Sequence, residues 1–487
     1  MKNITHENKV FYTFLIVHLL VWTAVSLIRV VMPTDTLEGI YWGSLHDFGT
    51  PKHPPLAGWI TYLTYLPFKS DLMVYFVSQL FILLGFVYIY KLARYFLDEQ
   101  KSILSVILLE GCWCYSYITC YYGFNPDVVL LFTLPAITYY VGKCVKYNKN
   151  SDWIILGIIT GLSLLNKYQT VLIIAPLLIW ACIFRREIFR NKFLYISMLI
   201  AFLMFLPHIL WLIKYDFFPF MYFENELTER SLSAHIEDLI NFLLLQVAAL
   251  AGTVLIYTSL KIKNKSKFKL VEKYNKDELW FILFAGLTPF LFHLFMGIFS
   301  NGTMHGRWNF EFLFMTGIML FYLFPTKLTK RDFMFCVKFA YIIMLIVLIS
   351  MGTLLSVEKN YRSRYPVSTI YNHFENIFEK KFHSNIKYVG GYIEWSLPLT
   401  IYGNSHPECL LDTFGYKSPW IDYEDLKKSG ALFISRTKEN VIDYVKSSCP
   451  YLPEDYIIEP LPYSFKLTNA FNMQREYEIY YFIVPPM

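Results

Sequence analysis

Charge is scarce in this chain. Asp, Glu, Lys and Arg make up 17% of its 487 residues, against about 25% in an average soluble domain. Apolar residues reach 55%, above the usual range of about 45–50%. The two shifts exclude an ordinary soluble globular protein and describe a chain whose solvent is largely lipid. Nucleotide-binding signatures are missing as well. There is no Walker motif and no GxGxxG opening a helix, so nucleotide-driven chemistry is not expected. No CxxC pair, internal repeat or low-complexity linker is present. The first apolar run, about 11–31, is too long for a signal h-region and lacks a small-residue cleavage site after it. A retained first helix is expected rather than a cleaved signal peptide. The net charge of +6 is spread over short loops between apolar runs, which is a topology signal and not a nucleic-acid groove.

A membrane-spanning helix needs about 20 mostly apolar residues. Eleven runs are candidates, near 11–31, 71–97, 102–121, 127–142, 153–166, 168–184, 193–213, 238–260, 279–299, 309–324 and 332–355. With a cytoplasmic N-terminus, the inner segments hold 22 Lys and Arg residues and the outer loops hold 6. The bias has one sign at every inner loop, as the positive-inside rule requires. Four unusual segments then share the outer side: loop 32–70, the turn 121–127, loop 214–237 and the turn 300–308. Everything after about 357 is also outside. That tail, 357–487, reads as an α/β domain following a transmembrane domain, 1–356. Short β-like runs such as Ile386–Tyr388, Ala431–Ile434 and Tyr477–Val484 alternate with helical stretches such as Val367–Glu379 and Lys438–Lys446. It carries Cys409 and Cys449, which an outer compartment allows either to pair or to remain thiols.

The outer loops hold the residues with chemistry. Asp35 and Glu38 are spaced i, i+3, so a helix places them on one face. Such a carboxylate pair at the membrane surface suits a general base or a metal ligand. The structural alternative is that Thr34 or Asp35 caps a short helix. Lys52-His53-Pro54-Pro55 follows. Its prolines fix an extended backbone and present two donors suited to a phosphate, although Lys52 could simply snorkel. Asp127 lies at the mouth of the fourth run, where an ionisable residue is costly and often functional, with an N-cap as the alternative. Lys167 sits in a tight outer turn against the positive-inside pattern. His305 and Arg307 share the last outer turn with Trp308, a residue type common in aromatic belts. His18, His208 and His293 read as packing or hydrogen-bonded histidines.

This constellation resembles the GT-C superfamily of membrane glycosyltransferases. The closer likeness is to family 39, which includes protein O-mannosyltransferases and the lipid A aminoarabinose transferases. The carriers are Asp35 just after the first run, Glu38 behind it, the Lys52–Leu56 segment and Asp127. The likeness covers roughly 10–330, with weaker matches at Gly161–Tyr168 and His305–Trp308. The resemblance implies a polytopic all-α bundle of about eleven spans with a C-terminal α/β domain. It implies a catalytic role for Asp35, with Glu38 and Asp127 in support. Asp127, with His305, is where a divalent metal ion would bind. The donor phosphate would be held by Lys52, His53, Lys167 or Arg307. His53 stands where the aminoarabinose transferases place a lysine, and Lys52 where they place a glutamate, which shifts weight onto Lys52. The implied reaction moves a sugar from a polyprenyl-phosphate donor to a lipid, glycan or protein acceptor, with inversion. The setting is a bacterial inner membrane with the tail in the periplasm. A transporter or flippase of lipid-linked sugars is the competing class. It predicts ionisable residues deep in several helices and an inverted repeat.

Overall fold

The computed structural model describes residues 5–221, 231–299, 305–411 and 418–487. Parts of the loop 214–237 and the turn 300–308, namely 222–230 and 300–304, lie outside the described residues.

The eleven apolar runs are helical, but they are not eleven continuous spans. Among the described residues, six helices are long and apolar enough to cross a membrane: His6–Ser26, Asp71–Ala93, Pro126–Tyr147, Lys192–Lys214, Leu232–Lys263 and Lys330–Val357. The helices Lys276–Gly286 and Thr288–Phe299 pass the same test only together, as a pair bent by 44°. Asn150–Leu164 and Tyr168–Phe184 are shorter apolar helices. The run 102–121 is broken. Its helix Glu99–Ile107 passes into two 3-10 turns, and Cys112 between them is extended. The cause is a buried acid and a close crossing. Glu110 accepts a hydrogen bond from Trp22 Nε1 at 2.8 Å and contacts His18 Nδ1 at 2.7 Å. A Cβ on Gly111 would lie 2.4 Å from the backbone of Gly252 on a crossing helix. The run 309–324 is likewise a 3-10 segment, Gly306–Met315, followed by the short helix Thr316–Leu323. Hydropathy marks apolar composition, and these two runs meet it without forming one rod.

The loop 32–70 folds into two short helices, Thr34–Ser44 and Leu56–Tyr65. They cross closely at two glycines: a Cβ on Gly43 would sit 2.2 Å from the carbonyl oxygen of Gly58. The stretch between them is closed by Thr50, whose hydroxyl accepts from His53 N at 2.9 Å and donates to His53 O at 2.9 Å.

The tail builds a five-stranded mixed sheet from β1 (Tyr388–Gly391), β2 (Glu408–Leu410), β3 (Ala431–Ser435), β4 (Leu461–Thr468) and β5 (Gln474–Val484). Its order is β2-β1-β3-β5-β4, parallel from β2 to β3 and antiparallel from β3 to β4. The helices Val367–Phe382 and Lys438–Ser448 accompany it, so the tail is an α/β fold. It does not stand apart from the membrane part. Val31, Met32 and Leu37 share one core with Trp395, Leu397 and Leu399. The Tyr41 hydroxyl accepts from Cys409 N and donates to Cys409 O, both at 3.0 Å. Cys409 and Cys449 are both buried free thiols, so the unpaired alternative holds.

Candidate active site

The structure decides both capping questions. The helix Thr34–Ser44 begins after Pro33 with no side-chain cap bond, so neither Thr34 nor Asp35 is its cap. Asp35 lies in the first helical turn, where the helix dipole favours a carboxylate. No hydrogen bond or ion pair engages it among the described residues. The helix Pro126–Tyr147 is capped by Asn125, whose Oδ1 accepts from Asp127 N and Val128 N at 3.1 and 3.2 Å. Asp127 is thereby left to use its carboxylate elsewhere. Its partner is Lys167, brought in by the turn between the helices Asn150–Leu164 and Val171–Phe184.

These residues line one cavity of about 480 Å³. Asp35, Glu38, Lys52, His53, Asp127, Lys167, His305 and Arg307 all border it, so every candidate from the sequence faces the same space. Its apolar walls include Trp42, Phe124, Tyr168, Phe220 and Trp308, and ring faces of this kind suit the C–H faces of a sugar. His208, outside that wall, is a bonded histidine, contacting Phe48 O at 2.7 Å and Tyr168 Oη at 2.8 Å.

The cations differ in what they already hold. Lys52 Nζ donates to Glu38 Oε1 at 2.6 Å and stands 5.8 Å from the Trp42 ring centroid. Glu38 is 3% exposed. Burial pushes its pKa up, while the Lys52 ammonium opposes the rise. Lys167 bridges Asp127 and Glu311, the latter at 3.4 Å. Arg307 lies 4.0 Å over the Tyr122 ring, and its Nη1 is buried with no hydrogen-bond partner among the described residues. That guanidinium has an N–H to give. His53 is a different case from the cation the motif suggests. Burial, with Lys167 and Lys52 close by, lowers its pKa to about 3. The imidazole is therefore neutral at physiological pH and can offer a neutral donor or acceptor, but no charge.

Glu311 was not singled out by its sequence. It is 2% exposed, it completes the Lys167 bridge, and its Oε2 has no partner among the described residues. The available signal was a lone acid opening the apolar run Phe310-Glu311-Phe312-Leu313-Phe314, which is costly unless paired. A metal centre is not assembled here. Among the described residues no three His, Cys, Asp or Glu side chains converge to hold an ion. Asp127 faces Lys167, and the His305 ring lies 4.8 Å from that of Trp308.

Comparison with known proteins finds a partial family match and a shared fold. Residues 52–211 match the family described as dolichyl-phosphate-mannose-protein mannosyltransferase. The chain as a whole is similar to ArnT from Cupriavidus metallidurans, solved bound to undecaprenyl phosphate. The TM-score is 0.65 at 12% identity, covering 96% of this chain and 97% of that one. The apo form of the same ArnT gives a TM-score of 0.58 at 11% identity, covering 98% and 99%. No curated protein matches in sequence. The chain therefore shares the fold of ArnT, with apolar helices long enough to cross a membrane and a small C-terminal sheet.

Proposed function

We propose that the protein is a membrane glycosyltransferase that moves a sugar from a polyprenyl-phosphate donor to a lipid or other cell-surface acceptor. The observation that carries this reading is the cavity itself: the unpaired carboxylate of Asp35 shares one space with Lys52, Lys167 and Arg307. The likeness to an ArnT that binds undecaprenyl phosphate supports the donor class. A lipid A-like glycolipid is the acceptor favoured by analogy with the aminoarabinose transferases. The cavity belongs to the outer face of a bacterial inner membrane, with the N-terminus cytoplasmic and the tail periplasmic.

Asp35 takes the proton from the acceptor hydroxyl as its oxygen attacks the anomeric carbon. The bond from that carbon to the phosphate oxygen breaks, and the lipid phosphate leaves with the electron pair. Arg307 and Lys52 stabilise the charge that develops on it. A single displacement inverts the anomeric centre. Glu38 keeps Lys52 at the cavity wall, and Asp127 does the same for Lys167. The flippase reading fares less well. The His18–Glu110 pair is deep in the bundle, but it closes on Trp22 and does not border the cavity.

The test is Asp35→Asn. Asparagine is nearly isosteric and no bond to Asp35 is lost, so the variant should insert and fold normally. Transfer from a polyprenyl-phosphate sugar should fall by about 10²–10⁴-fold, the usual contribution of a positioned base. Near-normal turnover would remove Asp35 from the mechanism and make Glu38 the next carboxylate to try.

A further inference from the structure

The last span and the end of the tail meet at a place with an unusual surface. The helix Lys330–Val357 has 28 residues. At 1.5 Å per residue it is about 42 Å long, close to the thickness of a whole bilayer with its headgroup layers. Lys330 and Arg331 mark one end, so Ser356 and Val357 lie in the opposite headgroup layer. One side of this helix is an exposed apolar stripe, including Ile342, Ile346, Ile349 and Val357, at 54, 57, 59 and 39% exposure. That stripe is the lipid-facing side.

The turn between β4 and β5 is tied to this end of the helix. Asn469, 3% exposed, donates from Nδ2 to Val357 O at 2.9 Å, and Ala470 N donates to Ser356 O at 3.0 Å. Asn469 also orders the turn from within: its Oδ1 accepts from Phe471 N and Met473 N, both at 3.0 Å. Asn472 takes the left-handed conformation, φ 59°, which asparagine tolerates. The turn is therefore a built feature with a fixed height. At its tip Phe471 is 64% exposed and Met473 46% exposed. Two large apolar side chains on the turn of a soluble domain are costly in water. Here they continue the lipid-facing stripe beyond Val357.

We propose that the β4–β5 turn is a membrane anchor, with Phe471 and Met473 inserted into the outer interfacial layer of the bilayer beside the last span. The occupant of this surface is lipid. Phenylalanine and methionine offer apolar area without a charge to desolvate, as interfacial insertion requires. The anchor fixes the height of the sheet, and the sheet in turn holds Tyr41 on the helix that carries Asp35.

The experiment places a cysteine at 471, and separately at 473, in the full chain with Cys182→Ser. Cys182 is the exposed one of the eight cysteines. Each cysteine carries an environment-sensitive fluorophore, and the protein is reconstituted in nanodiscs of phosphatidylethanolamine and phosphatidylglycerol. Leu461→Cys is the control, exposed at the far end of β4, about 23 Å along the strand. Labels at 471 and 473 should emit at shorter wavelength than the label at 461. They should lose intensity to lipids bearing a nitroxide high on the acyl chain, and resist iodide in the water. Quenching by iodide without quenching by nitroxide lipid would overturn the proposal. Resistance to both would also overturn it, because the tip would then be covered by protein. The readout needs no activity, so it stands apart from the proposed reaction.

Discussion

Removing Lys167 tests the electrostatics of the site most directly. In Lys167→Met the length and apolar stem are kept and the charge is lost. Asp127 then loses the cation it is paired with, beside a Glu311 whose pKa burial and the Asp127 charge push well up; their side chains are 21% and 2% exposed. Breaking a buried pair by deleting one partner costs about 3–5 kcal/mol, because the charge left behind is uncompensated. Lys167→Met should therefore be destabilised by about that amount, well above the roughly 0.5 kcal/mol of an ordinary surface change. Removing both charges should be cheaper than the single changes imply. The double variant Lys167→Met/Asp127→Asn should fall short of the sum of the two single losses by about 1–3 kcal/mol, the range for residues in one ion-pair network. The assay is unfolding in mixed micelles followed by circular dichroism, on the wild type, the single variants and the double. Additivity to within about 0.5 kcal/mol would refute the bridge, and Lys167 would then be free for phosphate.

Three further outcomes follow from other parts of the structure. His53 is neutral when folded down to about pH 3, whereas an unfolded imidazole takes up its proton near 6.5. Below pH 6.5 the unfolded chain thus binds a proton that the folded one refuses. Stability should fall with falling pH by up to about 1.4 kcal/mol per unit, and His53→Gln should flatten that acid limb in melting curves at pH 5 and 7. Gly43→Ala should cost about 1–3 kcal/mol and lower activity by pushing the two loop helices apart. Gly58→Ala should cost less, since its nearest neighbour would be 3.3 Å away rather than 2.2 Å. For orientation, cysteines at the exposed positions His46 and Lys428 should react with an impermeant maleimide from outside, and one at Lys265 should not. Labelling at 265 from outside would reverse the topology and move the cavity to the cytoplasm.

What the sequence made legible was a set of loops expected on one side of the membrane, and the structure brings residues of those loops to one cavity. Asp35 and Lys52 come from loop 32–70, Asp127, Lys167 and Arg307 from three other loops, and each borders the one cavity. Their partners were not legible, because pairing depends on groups far away in the chain. Lys167 looked like an unpaired cation in a tight turn, yet its carboxylates are 40 and 144 residues distant. The capping alternative for Asp127 failed for a local reason that could have been read: Asn125 precedes Pro126, so the cap position was already filled when Asp127 entered the helix. The breaks in 102–121 and 309–324 share one signal, a single glutamate inside an apolar run. A chain does not bury such an acid unless its fold provides a partner, as His18 and Trp22 do for Glu110 and Lys167 does for Glu311. These partnerships also constrain the chemistry. Two of the three cations already spend their charge on carboxylates, so a phosphate entering the cavity must share Lys52 with Glu38 and Lys167 with Asp127. Arg307, with a buried N–H lacking an acceptor among the described residues, offers the contact that costs no existing bond. The donor phosphate should therefore depend most on Arg307, and Arg307→Lys, which keeps the charge but loses the planar fork, separates its geometry from its charge.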